Sequence, residues 1–348
     1  MCINITRFYK RERKELDCEI ITPMFLGNAK QEAELRAAPF KGLLRYWWRV
    51  AEGYKYATDK DLLKAEDLLK AENTIFGSAD ENTNCKSQVK IWVEPITSLQ
   101  PKKEQFKNPG NIDHPECEKS QCKINPLNYL AGIGLINYKR SYFPAGEKFT
   151  LQLEAPEQIL QQLESTLAIV NKFGAIGSRS RNGWGCFQWP ASQSNVEINY
   201  KKFQDAFDRD YPHCLAKDKD EKGLLLWKTK QLYDKWENCM KNLAEIYVAV
   251  RIKLDVTKGS PPDRHLLGYP VTNHIIQLKH WEKKGRHASA LRLIVRKENE
   301  QYRGYFLHLP HLFSQQMWLN DKTRQIEIWR NVHKTLDTLD HYCDRANF

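Results

Sequence analysis

The chain has 348 residues, of which 41% are hydrophobic and 11% aromatic, and its formal net charge at pH 7 is +11. This length exceeds what one hydrophobic core usually organises, so two domains are expected. No apolar run approaches the roughly 18 residues that a membrane span requires, and no apolar segment follows the charged N-terminal residues as it would in a signal peptide. The composition therefore predicts a cytoplasmic protein without membrane contact.

Positive charge is concentrated in residues 250–334, where Lys and Arg outnumber Asp and Glu. Such an asymmetry is typical of proteins that bind nucleic acid or an anionic membrane. No amphipathic segment with a basic face stands out as a membrane anchor. The charge favours nucleic acid as the partner, and a merely basic, solvated surface is the alternative.

In the first half of the chain, strands and helices follow the order β-α-β-β-α-β. Alternating and helical hydrophobic patterns predict strands at 16–21, 88–93, 149–153 and 185–189, a helix that begins at Pro39, and further helices at 61–72 and 157–173. Residues 97–126, rich in Pro, Asn and Lys, predict an insertion. The order is that of a ferredoxin-like domain.

The second half repeats this order more loosely, after a boundary near residues 190–200. Its patterns predict helices at 201–210, 224–243 and 321–342, strands at 246–254, 290–296 and 302–309, and a Gly- and Pro-rich loop at 258–270. We therefore expect an α+β fold with two ferredoxin-like (RRM-like) domains, residues 1–195 and 196–348, that carry helical and loop insertions.

The helix over residues 35–50 combines an apolar stripe with a basic face. Its stripe would pack on a sheet, while the other face carries Lys41, Arg45, Trp48, Arg49 and Glu52. An exposed indole beside guanidinium groups is suited to hold a nucleic-acid base together with its phosphate. The alternative is that Trp47 and Trp48 belong to the core and the arginines pair with carboxylates.

A glycine-rich, basic loop occupies residues 173–187. Glycine allows close backbone approach to a bulky ligand, and Arg and Ser offer the donors that phosphate oxygens accept. The alternative is a tight turn whose arginines cap the preceding helix, for which Gly174 suits the C-cap. The loop matches neither a Walker A nor a Rossmann sequence, so no nucleotide cofactor is expected. The candidate RNA-binding residues of the loop are Gly174, Gly177, Ser178, Arg179, Ser180, Arg181, Asn182, Gly183 and Trp184.

The nine cysteines do not form a disulfide framework typical of secreted proteins. One group could supply four zinc ligands, although it contains no CxxC pair. Its members are Cys85, His114, Cys117 and Cys122. The alternative is that these are free thiols in a loop.

Several of these segments resemble the RAMP superfamily of CRISPR proteins. Residues 22–27 and 34–49 are similar to the first subunit of type III-B (Cmr) effector complexes, whose helix carries a Leu-Arg-Phe-Trp-Trp-Arg-like sequence, here Leu44 to Arg49. The loop at 173–187 resembles the glycine-rich loop of the superfamily. Residues 265–270 and 286–291 resemble later motifs of that subunit.

This resemblance implies a non-catalytic RNA-binding subunit in antiviral defence. Such a subunit contacts guide RNA, target single-stranded RNA or both near the guide 3′ end, together with neighbouring RAMP subunits. Target cleavage belongs to another, backbone-forming subunit. The resemblance also implies RNA contact by His265, Arg286 and His287 in the second half.

Two alternative functions stay open. Some RAMP relatives are endoribonucleases that process guide-RNA precursors by general acid–base chemistry, for which His265 and His287 are the candidate pair. No cluster of carboxylates points to a metal-dependent nuclease. The other alternative is a purely structural subunit whose basic faces bind protein.

Overall fold

A computed structural model describes residues 11–56, 64–79, 84–96, 98–116, 122–132, 135, 140–190, 198–218, 223–256, 261–269, 287–313 and 321–346. The chain divides into two units. Unit 1 comprises Met1–Lys102, Arg140–Ser178 and Gly185–Asn199, and unit 2 comprises Lys103–Lys139, Arg179–Trp184 and Tyr200–Phe348. Two segments of the first half of the chain thus belong to unit 2, among them most of the predicted insertion.

The helices are α1 (Ala37–Glu52), α2 (Ala65–Phe76), α3 (Pro126–Ala131), α4 (Glu157–Gln162), α5 (Glu164–Phe173), α6 (Phe203–Asp208), α7 (Trp236–Ile252) and α8 (Lys322–Thr338). The strands are β1 (Arg11–Ile20), β2 (Lys90–Pro95), β3 (Ile112–Asp113), β4 (Lys123–Ile124), β5 (Lys148–Pro156), β6 (Phe187–Gln188), β7 (Lys201–Lys202), β8 (Ala216–Lys217), β9 (Leu226–Thr229), β10 (Leu291–Glu298), β11 (Gln301–His308) and β12 (Cys343–Arg345). The mixture of helices and antiparallel sheets confirms the α+β class.

Unit 1 is built on a four-stranded antiparallel sheet in the order β2-β5-β1-β6. Along β1, Leu16, Cys18 and Ile20 are buried while the residues between them are not, which is the alternation of a sheet with one covered face. Phe40 of α1 packs against Phe149 and Phe187 of the sheet, with ring centroids 5.4 and 5.8 Å apart. The apolar stripe of α1 therefore lies on this sheet, as its spacing predicts.

Unit 2 contains a second four-stranded antiparallel sheet, in the order β10-β11-β9-β12. α7 contacts this sheet closely: a Cβ on Gly304 would lie 2.8 Å from Leu243 of the helix. The predicted strand pair at 290–296 and 302–309 is confirmed as β10 and β11.

Two predicted elements of the second half are wrong. Residues 224–243 contain a strand, β9, before α7 begins, and the predicted strand at 246–254 is the second half of α7. Ile246, Val248 and Val250 alternate as in a strand. In the structure Tyr247 between them is buried as well, because this helix is covered over a wide face. A helix that is buried over a wide face and contains several β-branched residues cannot be distinguished from a strand by its periodicity.

None of the helices in the described part of the chain combines the length and apolarity needed to cross a bilayer.

Buried histidines are concentrated in unit 2. A hydrogen bond of 2.8 Å joins Nδ1 of His308 to Nε2 of His333, and the His308 ring stacks on Trp329. Burial lowers the pKa of His333 to about 3, with Arg345 the next cause, and burial lowers the pKa of His287 to about 3 as well. These imidazoles are therefore neutral in the folded protein at pH 7.

Acidification from pH 7 to pH 5 is expected to lower the free energy of unfolding. In that window the unfolded chain protonates His287 and His333 near pH 6.5, whereas the folded chain does not, so the unfolded state binds more protons. Each such imidazole lowers the free energy of unfolding by about 1.4 kcal/mol for every pH unit below the pKa that it has in the unfolded chain. Urea unfolding at both pH values measures the loss. His341→Gln, at a 93% exposed side chain, should leave that loss unchanged, and equal stability at both pH values would contradict the expectation.

Candidate nucleic-acid interface

Arg45 and Arg49 lie one turn apart on α1 and share a carboxylate. Glu72 of α2 is fully buried, and each of its two oxygens accepts a hydrogen bond from one of the two guanidinium groups. Arg45 also donates to the Asn73 side chain over 2.9 Å. The alternative stated from the sequence, that these arginines pair with a carboxylate, is therefore what the structure has.

The same helix face still carries excess positive charge. We call Lys41, Arg45 and Arg49 the α1 basic strip; the three residues follow one another at four-residue spacing, about 6 Å along the helix axis. Burial lowers the pKa of Lys41, with the neighbouring Arg45 as the second cause. Glu72 supplies one negative charge against these three cations, and Glu52, at the end of the same face, pairs with Lys55. The side chains of Arg45 and Arg49 are 30% and 44% exposed. The strip can therefore attract an anionic chain.

The predicted exposure of Trp48 is wrong. Its side chain is only 3% exposed and packs against Tyr56 and Phe76, with ring centroids 6.2 and 6.5 Å apart. Those two residues follow α1 in the chain, so a helical wheel of α1 alone could not show that they cover this face. A buried indole offers no ring face to a base. Trp47 is fully buried and stacks on Phe173.

The glycine-rich loop closes on itself through its backbone. The amide of Ile176 donates to the Gly185 carbonyl over 2.9 Å, and Ala175 pairs with Cys186. Gly177 and Gly185 have φ of +91° and +66°, and a Cβ on Gly185 would lie 1.9 Å from the Ile176 carbonyl oxygen. Gly174 is the C-cap of α5, as its position suggests, and its amide donates to Val170. Glycine is thus required where the two arms of the loop meet.

Some of the loop's predicted RNA-binding side chains make contacts within unit 2. Arg181 donates to the Ser289 carbonyl over 2.6 Å, and Asn182 donates to the Leu130 carbonyl over 3.0 Å. Trp184 is fully buried beside Phe106, and Gly183 lies against Met240. These contacts hold the loop in place. Ser180, Arg181 and Asn182 are half-buried. Arg179 is exposed, and its backbone has a left-handed φ of +59°. Its guanidinium lies against Gly132, and burial lowers its pKa.

Ser178, at the end of the loop's first arm, contacts a cation that none of the sequence motifs includes. Arg140 donates to the Ser178 hydroxyl over 3.0 Å. Arg140 lies far from the loop in sequence, but residues 123–146 contain Lys and Arg and no Asp or Glu. This acid-free stretch is the sequence feature that could have identified it.

Both candidate catalytic histidines are buried away from solvent. His265 is 1% exposed and His287 is 7% exposed. A ring nitrogen of His265 donates to the Pro262 carbonyl, and one of His287 donates to the Leu266 carbonyl. General acid–base work on RNA requires a ring nitrogen that reaches the substrate, and neither ring is presented in this way. Arg286 lies outside the described residues.

The proposed zinc ligands do not come together as a set in the described part of the chain. There, no group of three or more His, Cys, Asp and Glu side chains could hold a metal ion. Cys122 is disulfide-bonded, which removes it as a thiolate ligand, and Cys85 is a free thiol. Cys117 lies outside the described residues.

Comparison with known proteins matches part of this chain to a family model and to curated relatives. Residues 17–188 match the family model described as the RAMP superfamily. Over 189 residues the chain is 30% identical to the CRISPR system Cmr subunit Cmr1-1 of Pyrococcus furiosus, a match that covers 53% of this chain and 49% of that protein. Over 185 residues it is 24% identical to Cmr subunit Cmr1-2 of the same organism, covering 49% of this chain and 90% of that one. The match therefore spans about half the length of Cmr1-1.

A solved structure resembles much of this fold. The crystal structure of Cmr1 from Pyrococcus furiosus in its apo form superposes with a TM-score of 0.50 at 21% identity, covering 87% of this chain and 89% of that chain. At this identity the likeness establishes a shared fold.

Proposed function

From the RAMP superfamily domain that this chain carries at residues 17–188, we propose that the protein is a non-catalytic, RNA-binding subunit of a type III-B (Cmr) CRISPR effector complex. The curated relatives are named as Cmr subunits, which supports the assignment to such a complex. The resemblance to that family is thereby confirmed. RNA binding rests on a single observation, the partly exposed α1 basic strip with its excess of positive charge.

We further propose that each unit is a ferredoxin-like RAMP domain. Unit 1 follows the order β1, α1 and α2, β2, β5, α4 and α5, β6, and unit 2 follows β9, α7, β10, β11, α8, β12. In the unit 1 sheet β1 lies between β5 and β6, and in the unit 2 sheet β9 lies between β11 and β12. All neighbouring strands in both sheets are antiparallel. This repeated arrangement supports two βαββαβ domains, with the predicted boundary at 195/196 close to the break at Asn199.

The partners we propose are guide RNA, target single-stranded RNA near the guide 3′ end, and neighbouring RAMP subunits in the cytoplasm. Phosphate contacts by arginine and lysine read the backbone and carry little sequence information. The binding should therefore be tolerant of sequence. Guide–target pairing would supply specificity in the complex.

Lys41→Gln is expected to weaken binding of single-stranded RNA equally for unrelated sequences, because it removes one cation from the α1 basic strip. The slope of log K against log salt concentration should become less negative by about 0.7, which is the value for one phosphate contact on a single strand. Fluorescence anisotropy over a salt series measures both effects. Lys148→Gln, an exposed lysine of β5 in the same unit, is the matched control, and identical behaviour of the two variants would contradict the role of the strip.

The nuclease alternative is tested with the same samples. Burial of His265 and His287 supports a non-catalytic protein. Precursor RNA incubated with excess protein should stay intact on a gel. Cleavage that His287→Ala abolishes would restore the endoribonuclease hypothesis.

A further inference from the structure

A polar cleft of about 160 Å³ lies in unit 1 between the first arm of the glycine-rich loop and the segment that follows β1. Its wall includes Gly27, Asn28, Gln31, Arg140 and Ser178. Of these residues, Ser178 alone was identified from the sequence as a candidate binding residue. The cleft is large enough for a phosphate group with its surrounding waters.

Arg140 supplies the charge of this cleft. Its Nε donates to the Gln31 side-chain oxygen over 3.2 Å, and its Nη1 donates to the Ser178 hydroxyl over 3.0 Å. Both acceptors are neutral. Within the described part of the chain, Arg140 forms no ion pair with an Asp or Glu, unlike Arg45 and Arg49, which share Glu72. A guanidinium carries five N–H donors, so donors remain for a ligand.

The walls that hold Arg140 are fixed by backbone contacts. The Asn28 side chain accepts from the amides of Lys30 and Glu32 over 2.9 and 3.1 Å, which closes a turn around Gln31 at φ +64°. On the other side, the Ser178 amide donates to the Phe25 carbonyl over 3.0 Å, and a Cβ on Gly177 would lie 2.6 Å from that same oxygen. The acceptors of Arg140 are therefore positioned before any ligand arrives.

We infer that this cleft binds a phosphate group, with Arg140 as the charged donor and the Ser178 hydroxyl as the second donor. Guanidinium and phosphate match in planar geometry and charge, and such charge-assisted hydrogen bonds are stronger than neutral ones. The inference rests on the proposed function where the phosphate belongs to an RNA backbone. A free nucleotide or inorganic phosphate presents the same chemistry, and the experiment separates the two sources.

Arg140→Gln in the full chain should weaken binding of a fluorescent single-stranded RNA about tenfold, the size expected for one charge-assisted contact. The slope of log K against log salt concentration should become less negative by about 0.7. Gln31→Glu should act in the same direction, because it keeps Arg140 and places a carboxylate against its Nε. Arg13→Gln and Gln231→Glu make the same charge changes at exposed positions elsewhere and should bind like wild type. If Arg140→Gln fails to fold by circular dichroism, Gln31→Glu decides.

The second arm titrates inorganic phosphate and AMP calorimetrically into wild type, Arg140→Gln and Gln31→Glu. Phosphate binding that Gln31→Glu weakens, with RNA binding unaffected, would support the cleft as a site for free phosphate or nucleotide. Wild-type behaviour of both variants toward RNA, phosphate and AMP would overturn the cleft while leaving RNA binding by the protein intact. Failure of the wild-type protein to bind RNA would instead overturn the proposed function.

Discussion

Gly185→Ala is expected to lower the free energy of unfolding by about 3 kcal/mol or more, as the sum of a left-handed backbone cost of 1–2 kcal/mol and the loss of a buried hydrogen bond. Gly185 has φ of +66°, and the added Cβ would lie 1.9 Å from the Ile176 carbonyl oxygen. The two arms of the loop must separate to admit it, which breaks the bond from the Ile176 amide to the Gly185 carbonyl. Urea unfolding of the variant and wild type at pH 7 measures the difference.

Gly42→Ala is the matched control for this change. Gly42 lies in α1, and a Cβ there would meet nothing within 4 Å. Alanine in a helix interior is favoured over glycine by up to about 1 kcal/mol, so this variant should be more stable than wild type. Equal effects of the two substitutions would show that the loop does not close as described.

Glu72→Gln should lower the free energy of unfolding by about 3 kcal/mol, between the cost of a charge-assisted hydrogen bond and that of breaking a fully buried ion pair. The Glu72 carboxylate has no exposed surface and receives hydrogen bonds from both Arg45 and Arg49. In glutamine one of the two oxygens becomes an NH2 group, which donates and cannot accept, so one arginine loses its acceptor and both cations lose the compensating charge. Because both arginines reach solvent, the loss stays below that of a wholly buried pair.

The same variant has the opposite effect on RNA binding. Removal of the carboxylate raises the net charge of the α1 basic strip by one, so RNA affinity at low salt should stay equal or rise while stability falls. Glu34→Gln, at an exposed loop carboxylate, should change the free energy of unfolding by no more than about 0.5 kcal/mol. A loss of RNA affinity in Glu72→Gln, with the folded fraction unchanged, would contradict the role of the strip.

Much of the fold follows from local sequence patterns. The alternation of β1 identifies one covered sheet face, because its buried residues, from Leu16 onward, recur at every second position. The apolar stripe of α1 identifies the covering helix, because Phe40 and Leu44 lie four residues apart. The helix at 246–252 was not predictable in this way. Because the unit 2 sheet buries this helix, its β-branched residues pack as well there as they would in a strand. Only tertiary contacts distinguish the helix from a strand.

The candidate site was predictable in its location and less so in its chemistry. Lys41, Arg45 and Arg49 follow from the helical wheel of α1, whereas the burial of Trp48 depends on Tyr56 and Phe76 outside that helix. Arg140 meets Ser178 only in the folded chain, 38 residues apart in sequence. Side chains that meet through tertiary structure leave no spacing for a motif search to find.

The most direct test of RNA binding is titration of the purified wild-type protein against a fluorescent single-stranded RNA over a salt series, with the RNA examined on a gel afterwards. We expect binding that weakens steeply as salt rises, through several phosphate contacts, and RNA that stays intact. Affinity that does not change with salt, or RNA that is cut, would contradict the account of a non-catalytic RNA-binding subunit.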